Sequence, residues 1–193
     1  MLDNLKEYNI ILASNSPRRR ELLTTLGLKF ESKTIPGIKE TYPKELIGQA
    51  IPMHIASLKA EAYRNQMAEK DLILTADTIV CVNGEVLGKP KDAEDALRML
   101  HKLSGRCHEV ITGVCIMTSK GTHTFAVTSN VTFDHLSDED INYYITNYKP
   151  YDKAGAYGIQ EWIGLVGVTK IEGSYFNVMG LPVQRLYKEL QKI

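Results

Sequence analysis

Ser14-Asn15-Ser16-Pro17-Arg18-Arg19-Arg20 puts two serine hydroxyls, a proline and three guanidinium groups within seven consecutive residues. An apolar run, Ile10 to Ala13, precedes them, and a helix-like stretch, Glu21 to Leu26, follows. Ser16 suits a helix N-cap, and Pro17 suits the first helical position, where its missing N–H costs nothing. A capping box would place Glu or Gln three residues after the cap, but Arg19 stands there. Arginines in a first helical turn oppose the helix dipole by about 0.3–1 kcal/mol each. An anion on that helix end removes the conflict, because backbone N–H groups, hydroxyls and guanidinium forks can all hold it. The strand–Ser-x-Ser-Pro–helix context therefore reads as a phosphate site.

Three further segments could share that chemistry. Asp77, within Ala76-Asp77-Thr78, follows a buried-looking apolar run. It is expected at a strand end or a strand break, where α/β proteins tend to place catalytic groups. Gly88-Lys89-Pro90-Lys91 puts two lysines on a loop defined by glycine and proline. It is not a P-loop, since the interval from Gly84 to Gly88 is too short and Pro90 occupies the Ser/Thr position. In Tyr151 to Gln160, small residues would let backbone approach a ligand, and Gln160 offers both a donor and an acceptor to a base edge. Metal-ligand patterns are missing. His108-Glu109 would need a histidine at 112 for a metalloprotease helix, where Thr112 stands. The remaining histidines, at 54, 101, 123 and 135, show no ligand spacing.

The elements that must position these residues alternate in type. Strands are expected at 9–13, 29–33, 72–76 with 78–82, and 85–87, the last paired back through the Asn83-Gly84 turn. Two long alternating stretches, 108–118 and 123–133, form a hairpin. Helices are expected from Glu21 toward Gly27, over 44–70 with Pro52 opening the main segment, over 92–103 capped by Asp92, and from Ser137 to about Tyr148. A short strand is expected over 165–171 and a closing helix from Pro182. Interleaved helices and strands around an antiparallel hairpin indicate an α/β class with a mixed β-sheet flanked by helices.

Composition narrows the function. The chain has 193 residues, with 23 Lys plus Arg against 23 Asp plus Glu, so its formal net charge is zero. This disfavours broad nucleic-acid binding but allows a local cationic cluster to hold a small anion. Cys81, Cys107 and Cys115 are odd in number and lack CxxC spacing. They read as reduced core thiols of a cytoplasmic protein. No signal-peptide pattern and no uninterrupted apolar segment of membrane-spanning length is expected.

Five pieces in order resemble the Maf family of nucleotide pyrophosphatases. They are Leu12-Ala13-Ser14-x-Ser16-Pro17-Arg18-Arg19 with Glu21-Leu22-Leu23; Ala76-Asp77-Thr78-Ile79-Val80; Gly88-Lys89-Pro90; Leu103-Ser104-Gly105 with His108-Glu109-Val110-x-Thr112-Gly113-Val114; and Asp152 to Gln160. The last piece is similar to the branch acting on dTTP and UTP rather than the one acting on 7-methyl-GTP. Glu161-Trp162 departs from it, standing where glycine often follows the glutamine.

The resemblance implies a single domain over 1–193, of Maf/ITPase-like fold, with two lobes and a central nucleotide cleft. It implies hydrolysis between the α- and β-phosphates with a divalent cation, Mg or Mn, and Asp77 as general base. Arg18, Thr78 and Gln160 match positions tied to substrate specificity. Ser14, Arg19, Lys59 and Lys89 would contact phosphates, and Lys153 joins the substrate-binding set. Glu40 with Asp77 would hold the metal. A nucleoside triphosphate substrate, a homodimer, no nucleic acid and no membrane complete the expectation. A 7-methyl-GTP pyrophosphatase is the alternative within the enzyme class, and a nucleotide-binding regulator of septum formation, without significant turnover, is the alternative from a different class.

Overall fold

Ile10, Leu12 and the run Leu72-Ile73-Leu74 are buried. These continuous apolar segments form parallel neighbours, as strands covered on both faces do. They are β1 (Asn9–Leu12) and the first half of β3 (Asp71–Val82), paired from Asn9 with Asp71 to Leu12 with Leu74. The structure, a computed structural model, describes residues 2–193.

One sheet holds β2 (Glu31–Ser32), β1, β3, β5 (Cys107–Thr118), β6 (Gly121–Phe133) and β7 (Val168–Glu172) in that order, with β4 (Glu85–Leu87) paired to β3. The β1 pairings with β2 and β3 are parallel, whereas β3–β4 and β6–β7 are antiparallel, so the sheet is mixed as expected. Asn83 and Gly84 both take positive φ, which suits a two-residue turn whose twist matches the flanking strands.

The helices are α1 (Pro17–Thr25), α2 (Ala50–Glu61), α3 (Ala93–Leu103), α4 (Asp138–Tyr148), α5 (Trp162–Gly167), α6 (Tyr175–Val178) and α7 (Val183–Leu190). Short 3-10 turns stand at Asp3–Leu5 and Ala154–Ala156. Side-chain caps mark four helix starts. Ser16, Asp92 and Ser174 each accept from a backbone N–H three residues on. Ser137 and Asp140 form a reciprocal capping box on α4.

The chain divides into two compact units, Met1–Asp77 with Thr112–Val127 and Gly180–Ile193, and Thr78–Ile111 with Thr128–Met179. In the first, Ala56, Ala60, Tyr63, Ile73, Cys115 and Met117 pack together. Two contacts seat α2 there. Thr75 Oγ1 donates to the Ala56 carbonyl at 2.6 Å. Gly113 leaves room for the helix backbone, since a Cβ at that position would lie 2.3 Å from the Pro52 carbonyl carbon. In the second unit, Val80, Leu87, Leu100, Leu103, Phe133, Ile141, Tyr144, Ile159 and Ile163 form the core.

Several sequence expectations are corrected. The helix expected over 44–70 is only α2, and Pro52 lies third in it rather than opening it. The first turn tolerates proline there because its N–H groups lack intrahelical partners in any case. The strand at 29–33 shrinks to two exposed residues. Residues 165–167 belong to α5 and the strand follows it, since short apolar runs do not separate helix from strand by periodicity. Asp77 lies inside the unbroken strand β3, not at a strand end or break. All three cysteines are free, but only Cys115 is buried; Cys107 is exposed and Cys81 intermediate.

Candidate active site

In the first unit the phosphate-loop reading meets a specific local geometry. The Ser16 side chain accepts from the Arg19 N–H, and Ser14 Oγ accepts from the Ser16 N–H at 3.2 Å. Ser14 is buried, and its carbonyl accepts from Ser32 Oγ at 3.0 Å. The loop between β1 and α1 is thus fixed by its own hydroxyls. The arginines divide. Arg20 is exposed, while Arg18 and Arg19 are partly buried. Arg19 Nε donates to the Gly180 carbonyl and Nη1 to the Ala76 carbonyl, both at 2.8 Å. Burial lowers the Arg19 pKa from its ordinary value, and the nearby Asp77 charge opposes that shift. Arg19 therefore brings a fixed positive charge to the residue preceding Asp77, with part of its fork spent on backbone.

Lys59, in the last turn of α2, links two carboxylates. Its Nζ lies 2.9 Å from Asp77 Oδ1 and 3.0 Å from Glu40 Oε2. The Lys59 and Asp77 side chains are each 14% exposed, and Glu40 is 46% exposed. A buried carboxylate needs such a partner, because an unpaired charge away from water is strongly disfavoured. Asp77 Oδ2 makes no hydrogen bond among the described residues, so one oxygen is held and the other is available. Among the described residues no group of three or more His, Cys, Asp or Glu side chains is arranged to hold a metal ion. Glu40 and Asp77 nevertheless converge on one cation, Lys59. A pair of carboxylates completed by substrate phosphates is the usual Mg²⁺ donor set, so these residues fit such an ion.

The second unit carries the other candidates on loops. Thr78 follows Asp77 in β3. Lys89 is exposed, and its ammonium has no partner among the described residues. Its loop is tied to the glycine-rich segment, since the Gly155 N–H donates to the Gly88 carbonyl at 3.0 Å. Ala156 is buried at φ 59°, a left-handed conformation that costs energy for a residue with a Cβ. Gln160 is exposed and its side chain makes no hydrogen bond among the described residues. Lys153 is otherwise placed: it is 8% exposed, with its ammonium 2.8 Å from Asp152 Oδ1 and 3.0 Å from Glu161 Oε1.

Two residues of this unit were not anticipated. Tyr144, on α4, donates from its hydroxyl to Glu161 Oε2 and accepts from the Gly158 N–H at 2.9 Å. Burial and the adjacent Glu161 push the Tyr144 pKa well up, so the phenol keeps its proton. The departure of Glu161 from the usual glycine was the one sequence signal for this network. His108 is buried, its Nε2 2.7 Å from the Tyr157 hydroxyl and its Nδ1 without a partner among the described residues. Phe133 and Tyr157 both meet its ring edge-on.

The family model described as Maf-like protein matches residues 9–193. The chain belongs to the Maf family. A protein of Phocaeicola vulgatus named dTTP/UTP pyrophosphatase is 62% identical over 193 residues, covering 100% of both chains. Similarly named proteins are 56% identical in Porphyromonas gingivalis, covering 99% of this chain and 97% of that one, and 50% identical in Flavobacterium johnsoniae, covering 97% and 96%. The solved structure of the Staphylococcus aureus Ham1 protein aligns with a TM-score of 0.47 at 18% identity, over 65% of this chain and 71% of that chain. Among the described residues no helix is long and apolar enough to cross a membrane.

Proposed function

We propose that this Maf-family chain is a nucleoside triphosphate pyrophosphatase acting on dTTP and UTP. The observation that carries the reading is the Glu40–Lys59–Asp77 arrangement, in a chain whose full-length relatives bear that activity as their name. Water attacks the α-phosphorus, the bond from that phosphorus to the α–β bridging oxygen breaks, and pyrophosphate leaves with that oxygen. The products are a nucleoside monophosphate and pyrophosphate. Asp77 Oδ2 accepts the proton of the attacking water, while Lys59 holds Oδ1 and fixes the carboxylate's orientation. Phosphoryl transfer needs positioning and charge neutralisation more than covalent help. Ser14, Arg18, Arg19 and Lys89 supply the contacts and positive charge for phosphate oxygens. Thr78 and Gln160 read the nucleoside, and Lys153 serves substrate binding through the loop that it anchors. A divalent cation, Mg or Mn, held by Glu40 and Asp77 would neutralise phosphate charge. The working form is a cytoplasmic homodimer.

Product analysis tests the reaction. With dTTP and Mg²⁺, a phosphate-detecting dye responds only after inorganic pyrophosphatase is added. Phosphate released without that enzyme places cleavage at the γ-phosphate and contradicts the proposal. Faster turnover of 7-methyl-GTP than of dTTP or UTP overturns the substrate assignment. Tight nucleotide binding with no product of either kind favours a regulator.

A further inference from the structure

The segment Gly158-Ile159-Gln160-Glu161 is a tight turn, closed by the Glu161 N–H donating to the Gly158 carbonyl at 3.0 Å. Gln160 is the third residue of that turn, and its side chain is unoccupied among the described residues. The turn does not rest on its backbone bond alone. Both carboxylate oxygens of Glu161 are taken, Oε1 by Lys153 at 3.0 Å and Oε2 by the Tyr144 hydroxyl. The same hydroxyl accepts from the Gly158 N–H, so one phenol holds both ends of the turn. Lys153 is 8% exposed, and the Glu161 side chain is 20% exposed. A Cβ on Gly158 would lie 2.9 Å from Glu161 Cδ and 3.0 Å from Lys153 Cε, so this ion pair packs closely against the first residue of the turn.

We infer that Glu161 is a positioning residue for base selectivity, acting with Lys153 and Tyr144 to fix the turn that presents Gln160. This rests on the reading of Gln160 as the residue that hydrogen-bonds the base. It also gives Lys153 a definite part, as the counter-ion of the Glu161 carboxylate. The arrangement suits recognition. A charge-assisted pair and a protonated phenol brace the backbone, while the Gln160 side chain, without a partner among the described residues, stays exposed for a ligand. An amide free in the unbound state, on backbone braced by these contacts, binds with less of the ordering cost of a mobile loop.

The test is a double-mutant cycle on selectivity, read as the ratio of kcat/KM for dTTP to that for dGTP. Glu161→Gln keeps the shape of the side chain and removes its charge; Tyr144→Phe removes the hydroxyl and keeps the ring. Each is expected to lower the ratio by roughly tenfold, the factor that the loss of about one hydrogen bond's discrimination allows, mainly through KM for dTTP. Gln160→Ala is expected to lower it at least as far. In the Gln160→Ala background, Glu161→Gln should change the ratio no further, because Glu161 acts through Gln160. Independent, multiplying effects would show that Glu161 only stabilises the fold and would overturn the inference. So would a selectivity that falls in Gln160→Ala but not in Glu161→Gln or Tyr144→Phe. If Gln160→Ala itself leaves the ratio unchanged, the base-reading role of Gln160 fails and the inference falls with it.

Discussion

The two units of this chain solve different problems with the same kinds of side chain. In the first, charged groups are tied to one another and to regular elements: Lys59 on α2 holds Asp77 on β3 and Glu40, and Arg19 on α1 is spent partly on two carbonyls. In the second, an ion pair and a phenol brace a turn, and Lys89 and Gln160 stand exposed on loops. Under the proposed roles, the difference teaches that proton abstraction needs prearranged charge, whereas base recognition needs fixed backbone and an uncommitted side chain. Chemistry should therefore fail when a charge is removed from the first unit, and selectivity should fail when the turn of the second is loosened.

The largest effect breaks the comparison on the chemical side. Asp77→Asn keeps the shape of the side chain but removes the proposed base, and kcat for dTTP should drop by about 10²-fold or more. Nucleotide affinity, measured by calorimetry, should survive.

A second prediction sharpens the other side through stability. Burial holds the His108 pKa down at about 4, from 6.5. The folded state therefore binds this proton less readily than the unfolded chain. The stability tied to a neutral His108 is complete above about pH 6.5 and is lost as pH falls toward 4. Taken at one group's full shift this amounts to about 3 kcal/mol. Chemical-denaturation midpoints at pH 7, 5.5 and 4.5 should fall more steeply in the native chain than in His108→Phe. Parallel curves would remove His108 as the cause.

Lys59→Met leaves two carboxylates without their shared cation, and turnover should fall by roughly tenfold, the worth of one charged hydrogen bond. The dTTP-to-dGTP ratio should hold steady in that variant, which separates the roles of the two units. The smallest effect is expected from Ser137→Ala, which removes the capping box of α4, the helix carrying Tyr144. It should cost about 1 kcal/mol by denaturant titration.

Local rules made much of this legible in advance. Ser16, Asp92 and Ser137 announced helix starts, and Asn83-Gly84 announced a hairpin, because caps and turns are decided within a few residues. The mixed sheet followed from the alternation of element types. Longer-range features were less visible. The helix at 44–70 contracted to α2 although Tyr63 and Met67 beyond it still pack on the same core, because apolar spacing does not mark where a helix stops. Asp77 was expected at a strand break, yet β3 runs straight through it, since a polar residue inside a strand is tolerated once Lys59, 18 residues earlier, supplies a partner. Glu40, Lys59 and Asp77 carry no spacing rule that brings them together; only the fold does. The Lys153–Glu161–Tyr144 network was hidden for the same reason, apart from the glutamate standing where glycine is often found.

The measurement that bears most directly on this division of labour is kcat and the dTTP-to-dGTP selectivity ratio, determined side by side for Asp77→Asn and Gln160→Ala. The account predicts that Asp77→Asn lowers kcat by about 10²-fold for both nucleotides and leaves the ratio unchanged. Gln160→Ala should lower the ratio while the kcat for dGTP stays near its original value. A collapse of turnover in both variants with no change in the ratio would contradict it.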